Sequence, residues 1–126
     1  MSSKDTIKIE NNIVSDEEFL WRRIHQSLII WEADRPRPIS GAFKRSSNKD
    51  AGVSVDIASK TTPDKSIKDS AALASVQAIV PRDLGYPVCA DPIPDNPAHA
   101  LIKGNISVSN GRKIAKKCTW VIPPKK

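Results

Sequence analysis

Gly52-Val-Ser-Val-Asp-Ile57 alternates without a break, with Val53, Val55 and Ile57 on one side and Ser54 and Asp56 on the other. A period of two marks a strand with one face on a core. The stretch therefore predicts a β-strand that carries Ser54 and Asp56 on the face turned away from that core. Whether its neighbours are helices or further strands decides the fold class.

Upstream, Ser46-Ser-Asn-Lys-Asp-Ala-Gly52 reads as a polar loop with turn chemistry. Before it, the prolines of Asp34-Arg-Pro-Arg-Pro38 lack amide donors and push their predecessors toward extended backbone, so no helix continues through. Phe19-Leu-Trp-Arg-Arg-Ile-His25 fits two patterns. Leu20, Trp21, Ile24, Leu28 and Trp31 form one face of a helix, and Leu20, Arg22 and Ile24 alternate equally well against Trp21, Arg23 and His25. Ser15-Asp-Glu-Glu18 has the form of a capping box and favours the helix. The β-branched, aromatic run Leu28-Ile-Ile-Trp31 suits a strand. Residues 1–14 read as a polar tail or a short edge strand.

Downstream, Thr61-Thr-Pro-Asp64 is a turn or a helix start. Residues 69–80 are alanine-rich and read as a helix, or as a helix breaking into a strand. Pro81-Arg-Asp-Leu-Gly85 has proline first and glycine last, the order of a single helical turn. Tyr86–Ala90 reads as a strand. Asp91-Pro-Ile-Pro-Asp-Asn-Pro97 is a rigid loop, and His99–Lys103 leaves it as a strand. Ser109-Asn110 reads as the cap of a helix from Gly111 to about Cys118, with Ile114, Ala115 and Cys118 as its buried stripe. Trp120–Ile122 is a final strand stopped by Pro123-Pro124. Strands and short helices mix without a βαβ rhythm, so the expected class is α+β with a largely antiparallel sheet. One globular domain over 15–124 is expected, followed by the basic pair Lys125-Lys126; at 126 residues there is no room for two full domains.

Twenty basic residues against fourteen acidic ones give a formal charge of +6, which raises the expectation of a polyanionic partner. No apolar run is long enough to cross a membrane as a helix. The polar start, Met1–Thr6, has no apolar core of an export signal. With Cys89 and Cys118 the only cysteines, a reducing cytoplasm is the expected home. Both cysteines lie in apolar stretches and read as small core residues. The two histidines, His25 and His99, and the lack of a C-x-x-C pair lead us to expect no metal and no cofactor.

The strongest charge feature lies near the C-terminus. Arg112/Lys116 and Lys113/Lys117 are spaced i, i+4, so each pair stacks on one side of the helix's apolar stripe. Free amides around Ser109-Asn110-Gly111 would add partial positive charge and complete a phosphate-sized attractor. Arg22, Arg23, Arg35 and Arg37 are candidates to extend it. Stacking of single-stranded bases needs aromatics between basic residues. Phe19, Trp21, Trp31, Phe43, Tyr86 and Trp120 mostly lie on apolar stripes and read better as core. A second polar set is His99 behind Asp95-Asn96-Pro97, together with Ser54 and Asp56. Histidine works as a general acid or base near neutral pH, with an arginine to hold a phosphate. The plainer role for His99 is to close the rigid loop by bonding a backbone carbonyl. No glycine-rich phosphate loop and no G-x-S-x-G elbow is present.

The segments Arg37-Pro-Ile-Ser-Gly-Ala-Phe43, Val53-Ser-Val-Asp56 and Asn96-Pro-Ala-His-Ala100 resemble those of small single-domain bacterial proteins. The order of segments over 18–123 is similar too. The resemblance implies no catalytic role, but it marks Arg37, Phe43, Ser54, Asp56, Asn96 and His99 as a possible shared site. An arginine segment ahead of a serine-bearing strand is also similar to ADP-ribosyltransferase-like folds. No glutamate follows Ser-Val-Asp here, against that fold's usual chemistry.

The leading expectation is a basic module that contacts nucleic acid or a nucleoprotein complex through Arg112, Lys113, Lys116, Lys117 and Arg37. The first alternative is an enzyme acting on a phosphate- or nucleotide-containing substrate through His99, Asp56 and Ser54. The second is a protein–protein adaptor within a larger assembly.

Overall fold

The computed structural model describes residues 13–44 and 52–126. The expected tail lies outside the described residues as far as residue 12, and so does most of the expected 46–52 loop. In chain order the strands are β1 (Phe19–Ile24), β2 (Ile29–Glu32), β3 (Arg35–Pro38), β4 (Gly52–Ile57), β5 (Ala72–Gln77), β6 (Val88–Ala90), β7 (His99–Lys103) and β8 (Thr119–Ile122). The helices are α1 (Pro63–Ile67), α2 (Ile79–Asp83) and α3 (Val108–Lys117), with single 3-10 turns at Gln26–Leu28, Ser40–Phe43 and Ala58–Lys60. Six strands form one sheet in the order β6-β7-β4-β1-β5-β8, and β2 and β3 form a separate hairpin. Every pairing is antiparallel, so the class is α+β.

The central strand is β1. It pairs with β5 along its whole length, from Phe19↔Gln77 to Ile24↔Ala72, and with β4 at Leu20↔Ile57 and Trp21↔Asp56. The helical option for 19–31 is thus overturned. Backbone groups on both sides of β1 find ladder partners, and its aromatic and β-branched residues suit a pleated surface. The capping box does not form. Glu18 N–H bonds the Ser15 carbonyl at 3.2 Å in a turn, and the Glu18 carboxylate accepts from Ser59 N–H at 3.1 Å. The helix expected within 69–80 is a strand followed by a helix, β5 and then α2. Ala72, Leu73, Ala74 and Val76 of β5 are all buried because both sheet faces are covered there, and that hides the alternation.

Register and pleat assign the two faces. Leu20, Ile24, Val53, Val55, Ile57, Ala74, Val76, Ala100 and Ile102 form the core face with Phe43 and Ile114, beneath α3 and the Ser40–Phe43 turn. Gly111 allows this close packing, since a Cβ there would stand 2.6 Å from the Ser40 carbonyl oxygen. Trp21, Arg23, Ser54, Asp56, His99 and Leu101 share the opposite face. That face is not simply solvent, because α1 lies against it and Asp56 is only 3% exposed.

Phe43 is fully buried, whereas Trp21, Trp31, Tyr86 and Trp120 are half-buried and Phe19 is exposed. Core packing therefore accounts fully for one aromatic. Tyr86 and Trp120 pack against the core and bond their polar atoms within the protein: Trp120 Nε1 donates to the Pro36 carbonyl at 3.0 Å, and the Tyr86 hydroxyl accepts from Asn110 Nδ2 at 2.8 Å. Both cysteines are half-buried and unbridged.

Candidate functional site

Helix α3 is the basic element. Its N-cap is Ser107, two residues earlier than expected, and the Ser107 hydroxyl accepts from Asn110 N–H at 3.1 Å. Gly111 N–H bonds the Ser107 carbonyl at 2.8 Å. Two of the amides expected to attract a phosphate are therefore already used, and the attraction of α3 rests on its side chains. Gly111, Ile114 and Ala115 face the core. Arg112, Lys113, Lys116 and Lys117 are exposed, and among the described residues none is in an ion pair.

The two flanks of α3 differ. Lys113 and Lys117 border a cleft of about 260 Å³ with Val80, Asp83 and Leu84. Lys116 borders a groove of about 220 Å³ with Pro36, Arg37, Pro38 and Trp120. The tertiary structure thus brings Arg37 beside Lys116, although Arg37 Nε also donates to Glu32 at 2.8 Å. Arg22 and Arg23 do not extend the patch. Arg22 points to the core face, where its guanidinium donates to the carbonyls of Ala42 and Ser54 at 2.9 and 2.8 Å. Burial, with Arg23 adjacent, lowers its pKa to about 10. Cys118, under the end of α3, has its thiol pKa pushed up to about 12 by burial.

The second polar set does come together. Asp56 and His99 are directly opposed in the β4–β7 register, and Ser54 stands opposite Leu101 two residues away. Asp56 is enclosed by partners: Ser66 Oγ donates to one carboxylate oxygen at 2.7 Å, and Asn96 Nδ2 donates to the other at 2.7 Å. Arg23 stands 3.7 Å away and bonds the Ser66 carbonyl at 3.2 Å. His99 Nδ1 faces the Asp91 carbonyl at 3.0 Å and the Asp91 carboxylate at 3.1 Å. Facing two acceptors, Nδ1 is assigned the proton, which leaves Nε2 as the basic nitrogen of the neutral ring. The sequence reading missed Asp91. Its signal was its place at the far end of the proline loop that His99 closes, where Asp91 N–H bonds the His99 carbonyl at 2.8 Å. His25 is exposed and its Nδ1 accepts from Ser27 N–H at 3.1 Å.

A third feature was also missed. Lys60, Thr61, Lys65 and Lys68 line a cleft of about 340 Å³ with Asp95, Asn96 and Pro97. Its lysines are scattered over nine residues of sequence, and only the turn before α1 and the end of α1 gather them.

Among the described residues no group of three or more His, Cys, Asp or Glu side chains could hold a metal ion, and no helix is long and apolar enough to cross a membrane. No family model, curated protein or solved structure matches the chain.

Proposed function

We propose that this chain is a small basic binding module that contacts the phosphates of nucleic acid, alone or within a nucleoprotein complex, through α3. The observation that carries the reading is the outer surface of that helix: Arg112, Lys113, Lys116 and Lys117 are exposed and unpaired among the described residues. Arg37 lies at the edge of the same surface and contributes less, because Glu32 offsets its charge. Such contacts give affinity without base reading and a steep dependence on salt. Two unbridged cysteines accord with a cytoplasmic setting. The test is binding to labelled single- and double-stranded DNA and RNA at about 50 and 200 mM salt, a range over which phosphate contacts weaken strongly. The variant Lys113→Glu/Lys117→Glu abolishes binding under this reading; unchanged affinity overturns it.

A second reading has one specific support, the Asp91 carboxylate on Nδ1 of His99, which orients the ring with Nε2 as its base. Under it, His99 acts with Asp56 and Ser54 nearby on a phosphate-containing substrate. Shortened nucleic-acid product that disappears in a folded His99→Ala variant would favour it over pure binding.

A further inference from the structure

We propose that the groove between α3 and the β2–β3 hairpin receives an unpaired base of single-stranded DNA or RNA, stacked on Trp120. The inference rests on the phosphate-binding reading of α3 and deepens it. Pro36, Arg37, Pro38, Ala115, Lys116 and Trp120 surround the groove, whose volume is about 220 Å³. Trp120 is half-buried: it packs against the core and still lines the groove. Its Nε1 donates to the Pro36 carbonyl at 3.0 Å, which ties the indole to the hairpin. An aromatic ring fixed by its polar edge beside open space is a stacking platform already in place before a base arrives.

The charge around the ring fits the backbone of a strand. Lys116 borders the groove, and Arg112 stands one turn earlier on the same flank of α3. Both are exposed, and among the described residues neither is in an ion pair. Arg37 adds little, because Glu32 already pairs with it. Single-strand binding joins cations that follow the phosphates to an aromatic face that takes a base. This flank of α3 has both, whereas Lys113 and Lys117 on the other flank border Val80, Asp83 and Leu84. Trp31, opposite Pro36 in the hairpin register, is a poorer platform, since the Lys126 ammonium already stands 5.8 Å from its ring centre. The walls favour stacking over the reading of base edges. The prolines have no amide donor, the Pro36 carbonyl is taken by Trp120, and the Cys118 thiol donates to the Ile114 carbonyl at 3.4 Å. A duplex keeps its bases paired and stacked, so it cannot offer one to Trp120 without first unstacking it.

The experiment compares the affinity of the full chain for an oligothymidylate, for the same strand with abasic sugars, and for a duplex of equal length, all at about 50 mM salt. The intact strand is expected to bind roughly 5- to 150-fold tighter than the abasic one, the range for one base stacked on an aromatic side chain. Trp120→Leu is expected to lose the same factor on the intact strand and to bind the abasic strand and the duplex as the parent does. Trp120→Phe keeps an aromatic face but loses the bond to Pro36, and is expected to retain most of the affinity. Equal binding of intact and abasic strands by the parent overturns the base site and leaves α3 standing as a phosphate surface. A loss in Trp120→Leu that is as large on the duplex, or a Trp120→Phe variant as weak as Trp120→Leu, also overturns it, because the ring would then matter for structure and not for stacking. Failure to bind any of the three ligands overturns both this inference and the reading of α3.

Discussion

Asp56 and His99 stand directly opposite each other on β4 and β7, yet each is bonded elsewhere: Asp56 to Ser66 and Asn96, His99 to Asp91. The carboxylates of Asp56 and Asp91 thus tie α1 and the proline loop to one sheet face. Asp56 anchors α1 through Ser66 and the proline loop through Asn96, whereas Asp91 and His99 close the ends of that loop.

The two sites should differ in their cost to stability. Asp56→Ala leaves a buried hydroxyl and an amide without their acceptor, and is expected to destabilise the protein by about 2–3 kcal/mol. His99→Ala removes hydrogen bonding at a half-buried position, and about 1 kcal/mol is expected. Urea unfolding of both variants checks the order. A larger loss at His99 would mean that closure of the proline loop, and not Asp56, holds this face together.

Gly111→Ala tests the packing of α3. Alanine is the better helix former by about 1 kcal/mol. Its Cβ would nevertheless stand 2.6 Å from the Ser40 carbonyl oxygen, a backbone atom that cannot turn aside. The expected result is a net destabilisation of about 1–3 kcal/mol, as for other overpacked sites. Thermal unfolding reads the sign directly, and a gain in Tm would show that α3 can lift off the Ser40–Phe43 turn at no cost.

Cys118 gives a pH dependence with a definite sign. Burial raises its pKa in the folded chain from 9.0 to about 12. Below pH 9 the thiol is protonated in both states and its stabilising contribution is present in full. Between about pH 9 and 12 the unfolded chain ionises first, so the contribution is lost as pH rises. The stability gap between the parent and Cys118→Ala is therefore expected to narrow from pH 7.5 to pH 10.5. Labelling of Cys118 by a thiol reagent at pH 8 is expected to be slow in the folded protein and fast in denaturant.

The basic helix predicts a salt slope. If Lys113, Lys116 and Lys117 each neutralise a phosphate, replacing any one with alanine lowers the slope of log K against log salt by about 0.9 on duplex DNA. Unfolding midpoints are expected to move little, since all three side chains are exposed. A slope unchanged across the three variants would take the contact away from α3.

Local pattern was enough where apolar and polar residues recur in a regular rhythm. Gly52–Ile57, His99–Lys103 and the basic helix were legible because each alternates, or repeats, in this way, although Asp56 in the first is itself buried against Ser66. The same holds for the α+β class and for the exposure of Arg112, Lys113, Lys116 and Lys117. Where both sides are covered the pattern fails: β5 is buried on both faces and resembled an alanine-rich helix, and in β1 Arg22 sits on the core side with its charge on two carbonyls. The Ser15–Glu18 box misled because its hydrogen bonds go to a turn and to Ser59, which lies more than forty residues along.

The candidate sites divide the same way. The sequence by itself determined the charge of α3, since i, i+4 spacing is a local geometric fact. Only the tertiary structure decided that Asp56 faces His99, that Asp91 holds the histidine ring, that Arg37 lies beside Lys116, and that three lysines around α1 share one cleft. The physical reason is that strand register and loop closure join residues far apart in the chain, through hydrogen bonds whose partners no local spacing reveals.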